Sequence, residues 1–136
     1  MAGSSKKGLP REGTPNVVAR LAVIKAQDAL AQATSYLDRP QGRDQGSDWT
    51  DLKEKLADAS AAVESIQQNA LIPDQWDQAV PAEVCDILDG VVSVISLVHV
   101  RTFMQDNGVF ADSEAQEVGS LSRRIRAASP GERIHY

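Results

Sequence analysis

Between positions 49 and 70, apolar residues recur at alternating spacings of three and four, a pattern that an α-helix accommodates and a β-strand does not. It predicts a long helix that begins near Asp48, whose carboxylate can cap free amides, and that is ended by Pro73. About three heptads is short for a coiled coil, so the pattern favours a bundle helix. The recurring residues are Trp49, Leu52, Leu56, Ala59, Val63, Ile66 and Ala70.

A second helix is predicted from Thr14, a capping residue followed by Pro15 at the first helical position, to about Leu37, before Pro40. Its apolar stripe is rich in alanine, which permits close helix contact. The stripe comprises Val18, Ala22, Ala26, Ala29, Ala33 and Leu37, and we expect Val17, Leu21 and Ile24 to widen its first turns.

The most apolar segment runs from Val84 to Val100, where eleven of seventeen residues are Val, Ile, Leu or Cys. A buried strand is the alternative interpretation, but polar residues recur at helical spacing within the segment. We therefore expect a helix of roughly 25 residues that starts after Pro81 and ends at Asn107-Gly108. Its interruption by polar residues argues against a membrane span, which needs about 20 apolar residues.

A fourth helix is predicted from Ser113, which with Gln116 forms a capping-box pattern. Its apolar side consists of Ala115, Val118, Leu121, Ile125 and Ala128, and Ser129-Pro130-Gly131 stops it. The expected fold is all-α, a small antiparallel bundle of about four helices. The expected organisation is a flexible basic tail (1–13), a helical domain (14–128) and a flexible C-terminal tail (129–136).

Charge is unevenly divided along this chain of net charge −5. Residues 1–20 have four basic side chains against one acidic, and residues 123–136 have the same balance. Residues 21–122 have six basic against seventeen acidic side chains. An acidic body disfavours broad nucleic-acid binding, while the basic ends suit phosphates or an acidic neighbouring subunit.

The single cysteine, Cys85, excludes an internal disulfide, and the N-terminal residues lack the apolar core of a signal peptide. We expect a cytoplasmic protein or one within a particle assembled there. Cys85 and His99 lie on one predicted helix, roughly 21 Å apart at 1.5 Å per residue, too far for a catalytic dyad. Cys85 is therefore interpreted as a buried structural residue.

Glu83, Asp86 and Asp89 could share a cation, but no Glu-x-x-His pair accompanies them, and a solvated helix face is the better interpretation. The sequence also lacks a phosphate-binding glycine loop, zinc-ligand spacing and a nucleophile-elbow motif. We expect no cofactor, no metal and no enzymatic activity. A helical enzyme that uses carboxylates is the weakest alternative.

Two groups of residues are candidates for partner binding. One is the polar line on the third helix, whose alternative interpretation is a solvated face; the other is the basic residues of the two ends. They are Lys6, Lys7, Arg11, Asp86, Asp89, Ser93, Ser96, Arg123, Arg124 and Arg126. Helix-dipole pairing also accounts for the last three arginines.

The leading functional hypothesis is a structural, assembly or adaptor subunit, such as a virion component, that docks through helix faces and basic tails. Its partners would be proteins, in a homo-oligomer or a larger assembly. The alternative is a small regulatory or nucleic-acid-associated module, such as a ribonucleoprotein subunit or a protein that sequesters a partner. Nucleic acid would then be reached through the tails only.

Overall fold

The computed structural model describes residues 14–38, 46–75, 78–105 and 113–128, with the backbone alone for 46–49 and 103–105. These ranges contain four helices and no strand: α1 (Pro15–Leu37), α2 (Gly46–Gln68), α3 (Ala82–Gln105) and α4 (Ser113–Ala127). The predicted all-α bundle is confirmed. Both tails lie outside the described ranges.

The helices follow one another around the bundle. α1 packs on α2 and α4, and α3 packs on the same two helices; α1 also meets α3 across the centre, whereas α2 and α4 share no contact within the described ranges. Contacts at helix ends show that neighbours are antiparallel: Asn16 at the start of α1 bonds Pro73 after α2, and Arg126 at the end of α4 bonds Asp86 at the start of α3. Lys53 near the start of α2 reaches Asp38 just after α1, at 3.2 Å. Lys25, ten residues after the start of α1, pairs with Glu117, ten before the end of α4.

The alanine-rich stripe of α1 is buried as predicted, and Ala22, Ala26 and Ala33 have no exposed surface. The predicted widening of this stripe is wrong for Leu21 and Ile24, which are 44% and 54% exposed. Both lie on the exposed side of α1, and Ile24 also lines a cavity between α1 and the end of α2. The buried side is widened instead by Ala19, Val23 and Leu30.

The end of α2 differs from the prediction. The helix stops at Gln68, five residues before Pro73, because Ala70 adopts a left-handed conformation with φ of 52°. The Leu71 amide then donates to the Ile66 carbonyl at 3.0 Å, and the Ala70 amide donates to the Gln67 carbonyl at 3.2 Å. These two bonds form a Schellman motif. Ala70 is therefore an exposed turn residue and not the last member of the apolar stripe.

Ala70→Gly should raise the free energy of unfolding by about 0.5–1 kcal/mol, because a side chain in the left-handed region costs roughly 1–2 kcal/mol, which exceeds the entropic cost of glycine. Urea denaturation would measure the change. Ala57→Gly, at an exposed position inside α2, is the matched control and should lose about 1 kcal/mol. Equal losses in both variants would contradict the left-handed assignment.

The segment after α2 is fastened to α1 by a buried polar side chain. Asn16 has no exposed surface, and its amide nitrogen donates to the carbonyls of Pro73, at 3.0 Å, and Gln75. One turn later, Arg20 also donates to the Pro73 carbonyl, at 3.2 Å. The Asn16 side-chain oxygen has no hydrogen-bond partner. Asn16 thus holds the connection to α3 against the start of α1.

The helical interpretation of the apolar segment is confirmed, since α3 spans 24 residues. The Val84 amide donates to the Pro81 carbonyl at 3.0 Å, which starts the helix where predicted. Its expected terminator, Asn107-Gly108, lies outside the described ranges. No helix in those ranges combines the length and apolarity needed to cross a membrane.

Three predicted caps also differ in detail. α2 begins at Gly46, which places Asp48 inside the first turn of the helix and not before it. Thr14 occupies the N-cap position of α1 with Pro15 following, but its side chain makes no capping hydrogen bond; the Val18 amide instead donates to its carbonyl at 3.1 Å. α4 begins at Ser113, which places this residue in the first turn and not before it.

Candidate docking surfaces

The predicted partner-binding residues fall on three parts of the chain. Lys6, Lys7 and Arg11 lie outside the described ranges. Those on α3 lie toward solvent: Asp86, Asp89 and Ser93 are exposed and Ser96 is half-buried. On α4, Arg123 and Arg124 are exposed and Arg126 is half-buried.

Three of these residues contact one another. The Arg126 guanidinium lies 2.9 Å from carboxylate oxygens of both Asp86 and Asp89. The buried Ser122 hydroxyl donates a hydrogen bond to Asp89 Oδ1 at 2.9 Å, while Arg126 bonds the other carboxylate oxygen, Oδ2. The hydrogen bonds that Arg126 donates to Asp86 and then to Asp89 raise the pKa of its guanidinium above the ordinary value. The cluster joins the start of α3 to the end of α4, and any role in binding a partner stays a prediction.

Arg126→Gln should lower the free energy of unfolding by only about 0.2–1 kcal/mol, because the three charged side chains are more than a third exposed and water screens them. Urea denaturation at low and high salt would measure the effect, which should shrink as salt is added. Arg124→Gln, on the same helix, is the control. A loss of unfolding free energy well above about 2 kcal/mol that does not change with salt concentration would contradict this account.

Cys85 is buried, and its thiol lies 3.8 Å from the Ser122 carbonyl, to which it donates. Burial is the largest influence on this group and raises the pKa of the thiol. A protonated, enclosed thiol fits the structural role predicted for it. Within the ranges that the structure describes, no group of three or more His, Cys, Asp or Glu side chains is placed to hold a metal ion.

The outer face of α3 lacks charge over about three turns. From Gly90 to Val100 the sequence contains no Asp, Glu, Lys or Arg. Gly90, Ser93 and Val100 are exposed, Val100 at 48%, and Leu97 between them is half-buried. We call these four residues the α3 outer face. Solvent-facing helix surfaces are normally charged or strongly polar, so this one is suited to contact another molecule.

A groove of about 330 Å³ runs between α2 and α3 beside this face. A Cβ atom built on Gly90 would meet no other atom within 4 Å, so the missing side chain leaves this side of the groove open. Small residues of α2 leave the opposite side open as well. The lining residues are Lys55, Asp58, Ala59, Ala62, Ile87, Gly90 and Val94. Sequence reasoning missed the groove, although a glycine within an apolar helical run was its signal.

A second apolar surface lies on α1, where Leu21 and Ile24 are exposed at 44% and 54%; we call this pair the α1 ridge. Beside it, a cavity of about 410 Å³ separates α1 from the end of α2. Buried or half-buried Val23, Ile66 and Ile72 line it. At its rim Arg20 pairs with the exposed Asp74 at 3.2 Å.

No protein-family model, curated protein or solved structure matches this chain. The functional interpretation therefore rests on the chemistry of these surfaces alone.

Proposed function

We propose that this chain is a non-enzymatic assembly or adaptor subunit that docks onto protein partners, foremost further copies of itself, through the outer faces of its helices. The observation that carries the proposal is the absence of charge from the solvent-facing side of α3 between Gly90 and Val100, where Gly90, Ser93 and Val100 are exposed. Interface centres are depleted of charged residues and are surrounded by polar rims.

The surroundings of the α3 outer face support the same function. The cluster of Asp86 and Asp89 on α3 with Arg126 on α4 lies toward the start of α3, and Lys55 and Asp58 lie beside the α3 outer face across the groove. These charges would form a polar rim. Ser93 and Ser96 would supply hydrogen bonds within the contact, as expected from the polar line in the sequence.

Partner choice follows from charge. The chain has net charge −5 and its body is more acidic still, so two copies repel when charged surfaces meet. An uncharged face lets copies approach without that repulsion. The basic tails, including Lys6, Lys7 and Arg11, are proposed to reach onto the acidic bodies of neighbouring copies.

Light scattering after size exclusion tests the proposal. The full chain should form an oligomer whose population rises with concentration, and Ser93→Glu combined with Val100→Glu should shift it to monomer. Ser60→Glu combined with Ser120→Glu, at exposed positions on α2 and α4, is the matched control and should leave the oligomer intact. A wild-type chain that remains monomeric at the highest soluble concentration would contradict the proposal.

The second candidate is a nucleic-acid-associated module, and the exposed Arg123 and Arg124 favour it. The start of α1 and the end of α4 lie at the same end of the bundle, so the two basic segments of the sequence join the bundle there. Oligonucleotide binding that weakens steeply with salt, and further in Arg123→Gln/Arg124→Gln, would select this candidate. Self-association that persists without nucleic acid would select the first.

A further inference from the structure

We propose that copies of this chain join head to tail, with the α1 ridge of one copy seated in the groove between α2 and α3 of the next. The inference rests on the proposed function and adds to it the two surfaces that meet. The ridge is Leu21 and Ile24, and the groove is the one left open at Gly90.

The two surfaces lie on different helices of the bundle. The ridge belongs to α1, which packs on α2, α3 and α4, whereas the groove opens between α2 and α3. No α1 residue lines the groove within the described ranges, so the ridge that fills it comes from another copy. A contact between two different surfaces is heterologous, and it produces a ring or an open filament according to whether the rotation closes.

Both surfaces are largely apolar. Leu21 and Ile24 are about half exposed, and Ala59, Ala62 and Gly90 are among the residues that line the shallow groove of about 330 Å³. Seating the ridge removes apolar surface from water on both copies.

The flanking charges set a direction for the contact. Arg20 lies one turn before Ile24 and Asp28 one turn after it, while Lys55 precedes Asp58 along the groove. With α1 of one copy antiparallel to α2 of the next, Arg20 faces Asp58 and Asp28 faces Lys55. The opposite direction brings like charges together, so electrostatics selects one orientation. Within one copy Arg20 bonds both the Pro73 carbonyl and Asp74 at 3.2 Å, and these exposed contacts would be shared or exchanged when Arg20 pairs with Asp58 of the next copy.

Two variants that each remove one surface test this geometry. Leu21→Asp with Ile24→Asp removes the ridge and leaves the groove, whereas Gly90→Leu fills the groove and leaves the ridge. Neither change disturbs the core, because the ridge residues are exposed and the space around Gly90 is open. Circular dichroism and thermal unfolding would verify that both variants fold. Ser35→Asp and Ser60→Leu, at exposed positions elsewhere on α1 and α2, are the matched controls.

Sedimentation velocity should show the wild type growing beyond a dimer as concentration rises, and each variant alone should associate at least tenfold more weakly. An equimolar mixture of the two variants should form a dimer, because one intact ridge meets one intact groove. The controls should assemble as the wild type does. A mixture that stays monomeric, while the wild type assembles, would overturn the head-to-tail contact.

Other outcomes separate this inference from the proposed function. A wild type that stops at a dimer, with the ridge variant still dimeric, would indicate a two-fold contact between α3 outer faces; the inference would be wrong and the proposed function retained. A wild type that is monomeric throughout would contradict both.

Discussion

Leu30→Ala should lower the free energy of unfolding by about 2–5 kcal/mol, whereas Leu21→Ala on the same helix should change it by less than about 1 kcal/mol. Leu30 is 2% exposed and Leu21 is 44% exposed, so only the first substitution leaves a cavity in the core. The two variants make the same Leu→Ala change on opposite sides of α1. Because the change in helix propensity is the same in both, it does not explain a difference between their stability losses.

Urea denaturation at a concentration where the chain is monomeric would measure both changes, with equal slopes as evidence that unfolding is two-state in each variant. Similar losses for the two variants would show that Leu21 is buried as deeply as Leu30. The α1 ridge would then not exist, and the head-to-tail contact would lose one of its surfaces.

Asn16→Ala should cost about 2–4 kcal/mol, because it removes the donor of two hydrogen bonds and leaves the Pro73 and Gln75 carbonyls without it. Asn16→Asp should cost at least as much at neutral pH. The carboxylate has nearly the same shape as the amide, yet it only accepts hydrogen bonds and would face two carbonyl oxygens.

Thermal and urea unfolding of both variants would measure these losses, with Asn69→Ala, at an exposed position after α2, as the control. Alanine changes the shape of the side chain and aspartate keeps it, but both remove the donor. Similar losses of unfolding free energy would therefore identify the hydrogen bonds as the cause. A mild effect of Asn16→Asp would contradict the role of Asn16 in holding the α2–α3 connection.

The helices themselves could be predicted because each satisfies a local rule. The alternating spacing from Leu52 to Ile66 and the polar interruptions of α3 depend only on which residues share a face of one helix. The buried stripe of α1 follows from the same rule. Such patterns need no knowledge of neighbouring elements.

The exposed side of α1 could not be predicted in the same way. The apolar arc of α1 is wider than its neighbours cover, because it includes Val17, Leu21 and Ile24. Periodicity alone does not say which edge of such a wide arc remains exposed to water. The positions of α2 and α4 decide it. The end of α2 could not be predicted for a different reason. The residue in the left-handed conformation is Ala70, whereas glycine is the usual sequence signal for this helix ending.

The candidate site was partly predictable. The sequence predicts Asp86, Asp89 and Arg126 as partner-binding residues, but their mutual contact depends on the register of α3 against α4, which no local pattern gives. The groove at Gly90 depends on small residues from two helices that meet only in the folded chain.

Amide NMR spectra recorded over a range of protein concentrations test the docking surfaces most directly. The account predicts concentration-dependent shifts or broadening at Leu21 and Ile24 on α1 and at Gly90 and Val94 beside the groove. Ser60 and Ser120, on the outer sides of α2 and α4, should remain unchanged. Spectra that do not change with concentration, or changes centred on Ser60 and Ser120, would contradict the claim that this bundle assembles through these faces.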